Sequence, residues 1–423
     1  MDVRWDALPA PIKQTSSYFT EPVAFLRTYN RALLRQDAMA ALTVAVVLLP
    51  QSIAFALIAG LPPAMGLYAG VVGSIVGALW GSSNQGHTGP TSALSLLVLS
   101  SLVAYVQPDT AQFFVAAGLL AVMAGLLQII MGIARLGMLV NFVSDAVIVG
   151  FAAGAGVLIG AGELRHFFGI SDAPPDVAGR VINVVTRLDE TNLYALALGV
   201  LSLVVILAIR RYRPRLPGTL IALIVATVIL FIFRLDQAGV AVLGQLPSSL
   251  PPFSPLPILN FELIGLLSTS ALAVTAIGLI QTMAVARAFA VQTGERLDSN
   301  QEFVGQGLAN VAAGLFSGFP VSGSFSRSAV NFEAGARTRM SALLSGLFVL
   351  VAMLILGPVG SYLPRAALAG VLLIIAYNMI DRREMVRIFQ SSRGDAVIML
   401  VTFLGTVFLP IQFAVLKGIL ISL

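Results

Sequence analysis

The chain has 423 residues, of which 57% are hydrophobic and only 11% are charged, and its formal net charge is +5. A soluble domain usually carries about 25% charged residues, so this composition excludes an ordinary soluble protein and indicates a polytopic membrane protein. There is no cysteine, and the two histidines, His87 and His166, are far apart, so no metal site is predicted. The basic residues stand in short segments between apolar runs, which the positive-inside bias explains better than nucleic-acid binding does.

Apolar runs recur along the whole sequence and predict fourteen membrane spans after a polar N-terminal segment, 1–36. The first seven are predicted at about 38–60, 65–80, from 90 onward, 113–133, 139–160, 193–209 and 220–233, with a polar excursion at 163–192. A proline-rich loop at 247–257 follows, and the next five spans are predicted at about 264–290, at 303–316, within 318–336, in the run that ends at 356, and at 366–380. A basic interfacial helix is predicted at 381–390, and the last two spans begin at about 396 and divide near Pro410. An even number of spans, with most short basic loops on one side, predicts an integral membrane protein of a bacterial inner (plasma) membrane with both termini in the cytoplasm.

Two runs rich in small residues interrupt the apolar pattern, one in each half of the chain. In Gly318–Asn331, Pro320 and Gly323 oppose a helix, and the serines that follow can cap one. Three glycine pairs share one spacing of 237 residues: Gly77 with Gly314, Gly81 with Gly318, and Gly86 with Gly323. Seven spans separate the two runs, and an odd number inverts the second copy in the membrane. The pattern predicts an all-α fold with a 7+7 inverted repeat, in which a short extended segment precedes each of the broken helices three and ten.

The same spacing places Gly89 opposite Ser326 and Pro90 opposite Arg327, so the N-termini of spans three and ten are predicted to face each other. Each N-terminus carries about half a positive charge and several unpaired amide donors. Arg327 adds a cation at the same place, and a chloride, bicarbonate, sulfate or carboxylate ion would suit such a site. The alternative is that Arg327 is structural and ties down carbonyl groups of the broken helices.

Span one contributes Gln51 and Phe55, which lie four residues apart and therefore on one helix face. Gln51 can hydrogen-bond a substrate, and the ring edge of Phe55 is weakly positive. Ordinary packing between helices is the alternative reading of this pair.

Four more polar residues lie in or near predicted spans, namely Asp145, Gln281, Glu302 and Glu333. Acidic groups inside a membrane are functional candidates, and Glu302 and Glu333 are the candidates for coupling transport to another ion. Asp145 and Glu302 lie near span ends, where they could be solvated or paired, and Gln281 can neither bind nor release a proton.

Several ordered motifs in this sequence resemble the SulP sulfate-permease family of anion transporters, to which prestin belongs. They are Leu49-Pro50-Gln51, Ala59-Gly60-Leu61-Pro62-Pro63, Gly66-Leu67-Tyr68, Gly89-Pro90, Ala284–Ala290, Asn300-Gln301-Glu302 and Gly323–Ser328. The resemblance runs from about Arg35 to the C-terminus. It implies fourteen helices in two domains: a core (37–134 and 262–357) that moves against a gate (137–234 and 363–423) in an elevator-like cycle.

Carried over residue by residue, the resemblance implies an anion site whose members, with their immediate neighbours, are Gln51, Phe55, Thr91, Ser92, Gln281, Phe325, Ser326 and Arg327. Two departures from the family matter. Many members carry an acidic residue for cation coupling where this chain has Gln281, so coupling through that position is in doubt. Members usually continue into a cytoplasmic STAS domain, which is absent up to Leu423, and we expect a longer natural protein that could form a homodimer through its STAS and gate domains.

The sequence thus predicts a secondary transporter of small anions such as sulfate, bicarbonate, chloride or a dicarboxylate like fumarate. Its partners would be that anion, membrane lipid and, in a symport mechanism, a proton or sodium ion. No enzyme activity, cofactor or nucleic-acid partner is predicted, because phosphate-loop, nucleophile-elbow and metal-ligand motifs are absent. The alternatives are an anion channel, which the neutral Gln281 would permit, and a nucleobase carrier of the related 7+7 fold, against which Arg327 argues.

Overall fold

The structure is a computed structural model that describes residues 10–137, 144–170, 177–213, 216–244, 246–257 and 260–409. The first half of the chain contains α1 (Ala10–Thr28), α2 (Leu34–Ile58), α3 (Pro63–Trp80), α4 (Ser92–Val103), α5 (Ala111–Ile133), α6 (Asp145–Phe168), α7 (Val177–Thr186), α8 (Leu193–Tyr212) and α9 (Gly218–Phe233). The second half contains α10 (Phe261–Thr293), α11 (Ser299–Leu315), α12 (Phe325–Glu333), α13 (Met340–Leu356), α14 (Arg365–Met379), α15 (Arg382–Ser391) and α16 (Arg393–Phe408). Two short strands, β1 (Thr88–Gly89) and β2 (Ser322–Gly323), precede α4 and α12.

The helices are apolar over most of their length, and their ends follow local signals. Six described helices, α2, α3, α5, α6, α8 and α10, are long and apolar enough to cross a bilayer, whereas α4, α9 and α13 are apolar but shorter. α8 begins where the Asn192 side chain accepts hydrogen bonds from two amides of its first turn, and α10 ends at Gly294 in the left-handed conformation. The prediction of a predominantly helical membrane protein is therefore confirmed.

One predicted boundary is wrong. The fifth span was expected to end near Gly160 and to be followed by a polar excursion from Glu163, but α6 continues to Phe168 and ends at Gly169 with φ 73°. The helix keeps Glu163 and Arg165 on its last turns because they face a cavity between helices, where polar groups are tolerated. The predicted division near Pro410, with the final span, lies outside the described residues, as do residues 1–9 of the predicted N-terminal segment.

The closest packing between helices falls within two groups. In the first, α11 packs on α5 and α3, α13 packs on α2 and α3, and α10 packs on α5 and α4. In the second, α14 packs on α6 and α8, α16 packs on α6, and α8 packs on α9. We call these the first group (α2–α5 and α10–α13) and the second group (α6–α9 and α14–α16).

Glycines allow α5 and α11 to approach each other closely. A Cβ atom on Gly125 would lie 2.5 Å from the Gly307 carbonyl oxygen, and one on Gly307 would lie 2.6 Å from the Gly125 carbonyl oxygen. The same two helices also touch at a second place, where a Cβ atom on Gly314 of α11 would lie 2.4 Å from the Gly118 carbonyl oxygen of α5. Small residues that let backbones touch are the usual means of packing helices in lipid, where burial of apolar surface gives no driving force.

The two strands form an antiparallel ribbon inside the first group. Thr88 pairs with Gly323 and Gly89 pairs with Ser322, and the Ser324 amide donates to the His87 carbonyl at 3.0 Å. Each strand is followed within a few residues by the first turn of a helix, α4 or α12. The ribbon therefore brings the N-termini of these two half-length helices together.

Two amide side chains of α11 satisfy the extended backbone beside the ribbon. Asn310 accepts from the Val321 amide at 2.8 Å and donates to the Val321 carbonyl at 3.1 Å, and Gln306 donates to the same carbonyl at 2.6 Å. Gln306 in turn accepts from the Thr282 hydroxyl at 3.0 Å. Non-helical backbone in a membrane protein needs such partners, since lipid offers none.

Candidate functional site

Arg327, in the first turn of α12, lies against the ribbon at Gly89 and is completely buried. Its Nη1 donates to the Pro90 carbonyl at 2.9 Å and to Gln51 Oε1 at 3.2 Å, and its Nε donates to His87 Nδ1 at 3.2 Å. Its Nη2 has no hydrogen-bond partner among the described residues and lies against Gly89, where a Cβ atom would be 3.1 Å away. No described acidic side chain forms an ion pair with Arg327. The charge of this guanidinium is therefore solvated by dipoles alone.

The contacts of His87 fix its tautomer. Its Nδ1 accepts from Arg327, and its Nε2 lies 2.8 Å from Ser345 Oγ, whose hydroxyl proton goes to the Ala342 carbonyl. Nε2 must therefore carry the proton and Nδ1 must be the acceptor, which makes the ring neutral. The ring holds Arg327 from the side opposite Gln51 and fixes the plane of the guanidinium.

The first turns of α4 and α12 supply amide donors beside Arg327. In α4 the first helical hydrogen bond is from Ser95 to Thr91, so the amides of residues 92–94 have no acceptor within the helix. In α12 the corresponding bond is from Ser328 to Ser324. Ser92 is half-buried and both Phe325 and Ser326 are exposed, so this edge of the site is open while Arg327 behind it is not. The N-termini of α4 and α12 therefore face an accessible space, and the buried Arg327 guanidinium lies behind them.

Gln281 of α10 belongs to a small neutral network at the same place. Its Oε1 accepts from Ser322 Oγ at 2.8 Å and from Thr91 Oγ1 at 3.4 Å, and the two hydroxyls lie 3.1 Å apart. One amide thus joins α10, β2 and the residue before α4. This network adds donors and acceptors to the site without adding charge.

Gln51 and Phe55 of α2 are placed differently from each other. Gln51 is half-buried, and its Oε1 accepts from Arg327, which leaves its amide NH₂ without a partner among the described residues. Phe55 is 6% exposed and belongs to the apolar cluster that also holds Leu94 and Leu97 of α4. Gln51 therefore contacts Arg327, whereas Phe55 belongs to the apolar packing that includes α4.

The two predicted coupling residues have no contact with Arg327. Glu302 accepts from the Ser82 amide at 2.7 Å, the Ser83 amide at 3.2 Å and Ser82 Oγ at 3.0 Å, so it caps the loop between α3 and β1. Glu333 ends α12, is exposed, and has no side-chain hydrogen bond or ion pair within the described ranges. The side chain of Asp145 lies outside the described part of the chain. No cluster of three or more potential metal-binding side chains occurs among the residues described.

The structure thus joins Gln51, Thr91, Gln281 and Arg327 with residues that sequence reasoning did not select. His87 was considered only as a metal ligand, although it stands in the run Gly86–Ser92 that was matched to the Arg327 run. Its position inside that matched run was the signal that could have identified it. The Pro90 carbonyl and the supporting amides of α11 carry no sequence signal, because any residue type supplies a carbonyl and α11 is distant in the chain.

Residues 34–402 match the sulfate permease family. YvdB of Bacillus subtilis (strain 168), whose name assigns it to sulfate transport, is 32% identical over 398 residues, which are 93% of this chain and 74% of YvdB. The chain spans between 59% and 74% of the length of the curated relatives that it matches.

Two solved structures share the fold. The transmembrane domain of BicA, a bicarbonate transporter from a cyanobacterium, is 25% identical, with a TM-score of 0.79 over 93% of this chain and 98% of that domain. The murine SLC26A9 anion transporter is 22% identical, with a TM-score of 0.88 over 98% of this chain and 72% of the murine chain. These relatives are transporters and not enzymes, and the chain belongs to the sulfate permease family.

Proposed function

We propose that this chain is a secondary transporter that binds one small anion between the N-termini of α4 and α12. The observation that carries the proposal is a completely buried guanidinium, Arg327, with no counter-charge among the described residues and with one nitrogen left without a partner. An uncompensated buried charge is costly, so an arrangement that retains one points to an anion that neutralises it when bound.

The positive charge at the site attracts an anion by several kcal/mol, which is enough to contribute to binding. Two unit charges about 4 Å apart attract by about 4 kcal/mol at an effective dielectric constant of about 20, and each helix N-terminus adds about half a positive charge. Because Arg327 is buried behind the ribbon, it acts on the anion through its field. Direct hydrogen bonds come from the open first turns at Ser92 and Ser326 and from the Gln51 amide.

The packing of the helices supports alternating access by an elevator-type movement. The ribbon, α4, α12 and their supporting residues all belong to the first group, so the anion site can move as one body with that group. The second group corresponds to the predicted gate and would serve as the fixed frame. This proposal includes the predicted 7+7 inverted repeat with fourteen spans, both termini in the cytoplasm of a bacterial inner membrane, and a homodimer.

Sulfate and bicarbonate are the substrates we propose first, because YvdB is named for the one and BicA for the other. Chloride and dicarboxylates such as fumarate belong in the same test panel, since a donor-lined positive site accepts them too. Uptake of each radiolabelled anion into proteoliposomes, with and without proton and sodium gradients, would identify both the substrate and any coupled ion.

An anion channel is the second candidate, and one observation favours it. The network around Gln281 contains only amides and hydroxyls, so no side chain of that network can exchange a proton with each cycle. Unitary currents in patch recordings would support the channel, whereas saturable flux that is stimulated by anion on the opposite side would support the carrier. The neutral network and the cationic Arg327 both argue against a nucleobase carrier.

Substitution of Arg327 tests the proposed site. We expect Arg327→Ala to raise the half-saturating anion concentration at least tenfold, a loss of about 1.4 kcal/mol, because the field behind the N-termini disappears. Arg327→Lys should retain part of the affinity, since it keeps the charge without the fork of donors.

Arg337→Ala is the matched control, because Arg337 is exposed and bonds only through its backbone amide. Thermal unfolding in detergent shows whether each variant is folded. A folded Arg327→Ala protein with an unchanged half-saturating concentration would contradict the proposed site.

A further inference from the structure

Helix α15 is short and amphipathic, and the proposed transport function leaves it without a role. It follows α14 and precedes α16, and three of its ten residues are arginines, so it is too polar to cross the bilayer. On one side Ile388 is buried and Met385 is partly buried, in a cluster with residues of α6 and α16. On another side Val386 and Phe389, three residues apart, are 52% and 53% exposed. The packing of the described residues leaves this second apolar side open.

The open side of α15 belongs to the lipid-facing surface of the protein. α16, on which α15 packs, also exposes apolar side chains, Val397 and Leu400. A helix that is apolar on one side and strongly charged on another lies in the headgroup region of a bilayer, with its apolar side toward the acyl chains. Two exposed tyrosines stand at the same level, Tyr212 at the end of α8 and Tyr377 near the end of α14, and tyrosine is enriched at membrane surfaces.

Arginines of α8 and α15 come together at the end of α14. Arg210 Nη1 donates to Asn378 Oδ1 at 3.2 Å. The guanidinium carbon of Arg382 lies 5.4 Å from the centre of the Tyr377 ring. Since Tyr377 and Asn378 are adjacent in α14, these contacts bring Arg210 and Arg382 to the same place, and Arg383 follows directly in the first turn of α15.

Unpaired cations outnumber carboxylates at this place. Arg387 forms an ion pair with Glu384, so these two cancel, and Arg393 and Asp395 at the start of α16 add one charge of each sign. Asp381 accepts from two amides of the first turn of α15 at 3.1 and 3.0 Å and keeps its negative charge. The exposed arginines that form no ion pair with another described residue are Arg210, Arg211, Arg213, Arg382 and Arg383. Five cations therefore stand against one carboxylate.

We propose that α15 and the ends of α8 and α14 form a binding site for an anionic phospholipid. Arg210, Arg382 and Arg383 hold the phosphate, and an acyl chain lies against Val386 and Phe389. The planar fork of a guanidinium donates two parallel hydrogen bonds to a phosphate, which makes arginine well suited to this headgroup. The exposed apolar side next to the cations favours a lipid over a soluble phosphate, since only a lipid covers both.

The absence of cysteine from the chain permits a direct test. Gln390→Cys places a single thiol on the exposed surface of α15, next to Phe389, and the thiol is labelled with the fluorophore bimane. The labelled protein is reconstituted into vesicles of phosphatidylcholine with increasing fractions of phosphatidylglycerol that carries brominated acyl chains. Bromine quenches the label at short range, so the quenching curve gives the preference for phosphatidylglycerol at α15. We expect a preference of about tenfold or more, because each arginine near the surface favours an anionic lipid by about fivefold.

Two double variants test the role of the arginines. Arg382→Gln/Arg383→Gln should lower the preference about tenfold, because it removes two of the three cations that hold the phosphate. Arg382→Lys/Arg383→Lys should keep most of the preference, since lysine binds phosphate as a point charge. Equal loss in the two variants would show that charge is not what matters and would overturn the proposal.

The matched control is Arg296→Gln/Arg337→Gln. These arginines are exposed in the loops before α11 and α13, which belong to the first group and are predicted on the same side of the membrane. We expect this variant to leave the preference unchanged. A loss as large as that of Arg382→Gln/Arg383→Gln, with every variant shown to be folded by its melting temperature, would reduce the effect to general surface charge and overturn the proposal.

A soluble headgroup analogue separates a lipid from a free phosphate. We expect millimolar glycerol 3-phosphate, at constant ionic strength, to leave the preference for phosphatidylglycerol unchanged. If it abolishes that preference, the arginines bind a soluble phosphate and the lipid site is rejected.

A bound lipid would hold the second group at the bilayer surface. This consequence rests on the proposed function, in which the second group is the fixed frame. Anion uptake should then be faster in vesicles that contain phosphatidylglycerol, and Arg382→Gln/Arg383→Gln should remove the difference. Uptake that does not respond to phosphatidylglycerol, with the preference of the label intact, would reject this consequence alone. Failure of uptake in every lipid, with the preference intact, would contradict the carrier and support the lipid site.

Discussion

At the scale of single residues, the contacts of Arg327 agree both with a structural role and with the anion-binding role that we propose. It ties down the Pro90 carbonyl, as the structural reading expected, and among the described residues its Nη2 has no partner and its charge has no counterion. These roles support each other, because the bonds to Pro90, Gln51 and His87 hold the cation in one place. Preorganised charge of this kind loses little free energy to reorientation when an anion arrives.

Substitution of His87 tests how much the orientation of Arg327 contributes. We expect His87→Phe to raise the half-saturating anion concentration about tenfold, because Arg327 Nε then loses its acceptor and the guanidinium is no longer held in its plane, a change of about 1.4 kcal/mol. His87→Asn should remain within about threefold of the original protein, since its side-chain oxygen can replace Nδ1 as the acceptor. The measurement is initial uptake at a series of anion concentrations in proteoliposomes.

Thermal unfolding separates this effect from simple loss of structure. Both His87 variants lose the bond to Ser345, and His87→Phe also leaves Arg327 Nε without an acceptor, so its melting temperature should fall further. If the two variants bind the anion equally weakly, the acceptor at Nδ1 is not what matters and the prediction is wrong.

At this scale the sequence predicted the residues that carry a charge or lie in a repeated motif. Arg327 stood out because it is a lone cation in an apolar chain, and Gln51 because it follows a proline within a span. His87 was not predicted as its partner, because the spacing of 237 residues was used only to match glycines and helix starts, although His87 lies inside the matched run. Whether Phe55, Phe325 and Ser326 contact the anion stays a prediction.

At the scale of elements, the broken helices depend on the close contact between α5 and α11. α11 carries Gln306 and Asn310, which hold the backbone at Val321 next to the ribbon. Its distance from α5 is set by the glycine pair Gly125 and Gly307. A change in that distance would be passed directly to the ribbon, although neither glycine lies in the site.

Gly125→Ala is expected to lower the melting temperature. The added Cβ would lie 2.5 Å from the Gly307 carbonyl oxygen, so the two helices must separate, and overpacking of this kind costs about 1–3 kcal/mol. Alanine favours the helix over glycine by about 1 kcal/mol, which offsets only part of that cost. The measurement is a fluorescence melting curve in detergent.

Gly265→Ala in α10 provides the control, because nothing lies within 4 Å of its Cβ position. It should leave the melting temperature unchanged or raise it slightly. Identical melting curves for the two alanine variants would show that the contact between α5 and α11 is not tight.

Element positions were predicted well where a span is uniformly apolar, and less well where charge enters a helix. The pattern placed α5 and α8 within a few residues, since their ends coincide with the ends of their apolar runs. It ended the fifth span too early, because Glu163 and Arg165 were taken to mark the membrane surface. A cavity between helices allows charged residues inside a helix, and a single sequence does not reveal such a cavity.

At the scale of the whole molecule, the two groups of helices meet along the cavity near Leu99 and Leu158. If transport requires one group to slide past the other, a covalent link across this cavity must stop it. A pore that opens without such sliding would continue to conduct.

We expect Leu99→Cys/Leu158→Cys, treated with a cleavable bifunctional thiol reagent, to lose most of its uptake and to regain it after reduction. The control pair, Leu57→Cys/Leu99→Cys, lines the same cavity but lies entirely in the first group, so its link should leave most uptake intact. Equal inhibition of both pairs would mean that the reagent blocks the cavity itself, which would contradict the sliding movement.

The ribbon also has a consequence for how the protein is made. β1 has its only described strand partner in β2, so Gly89 and its neighbours wait for Ser322 to be synthesised before they can pair. At translation rates of about 5–20 residues per second, that wait is roughly 10–50 s. During this interval the first half of the chain sits in the bilayer with unpaired polar backbone at the start of α4. Membrane insertion factors that shield polar segments would be needed most at this stage, and the proposed anion site is incomplete until the second half has been inserted.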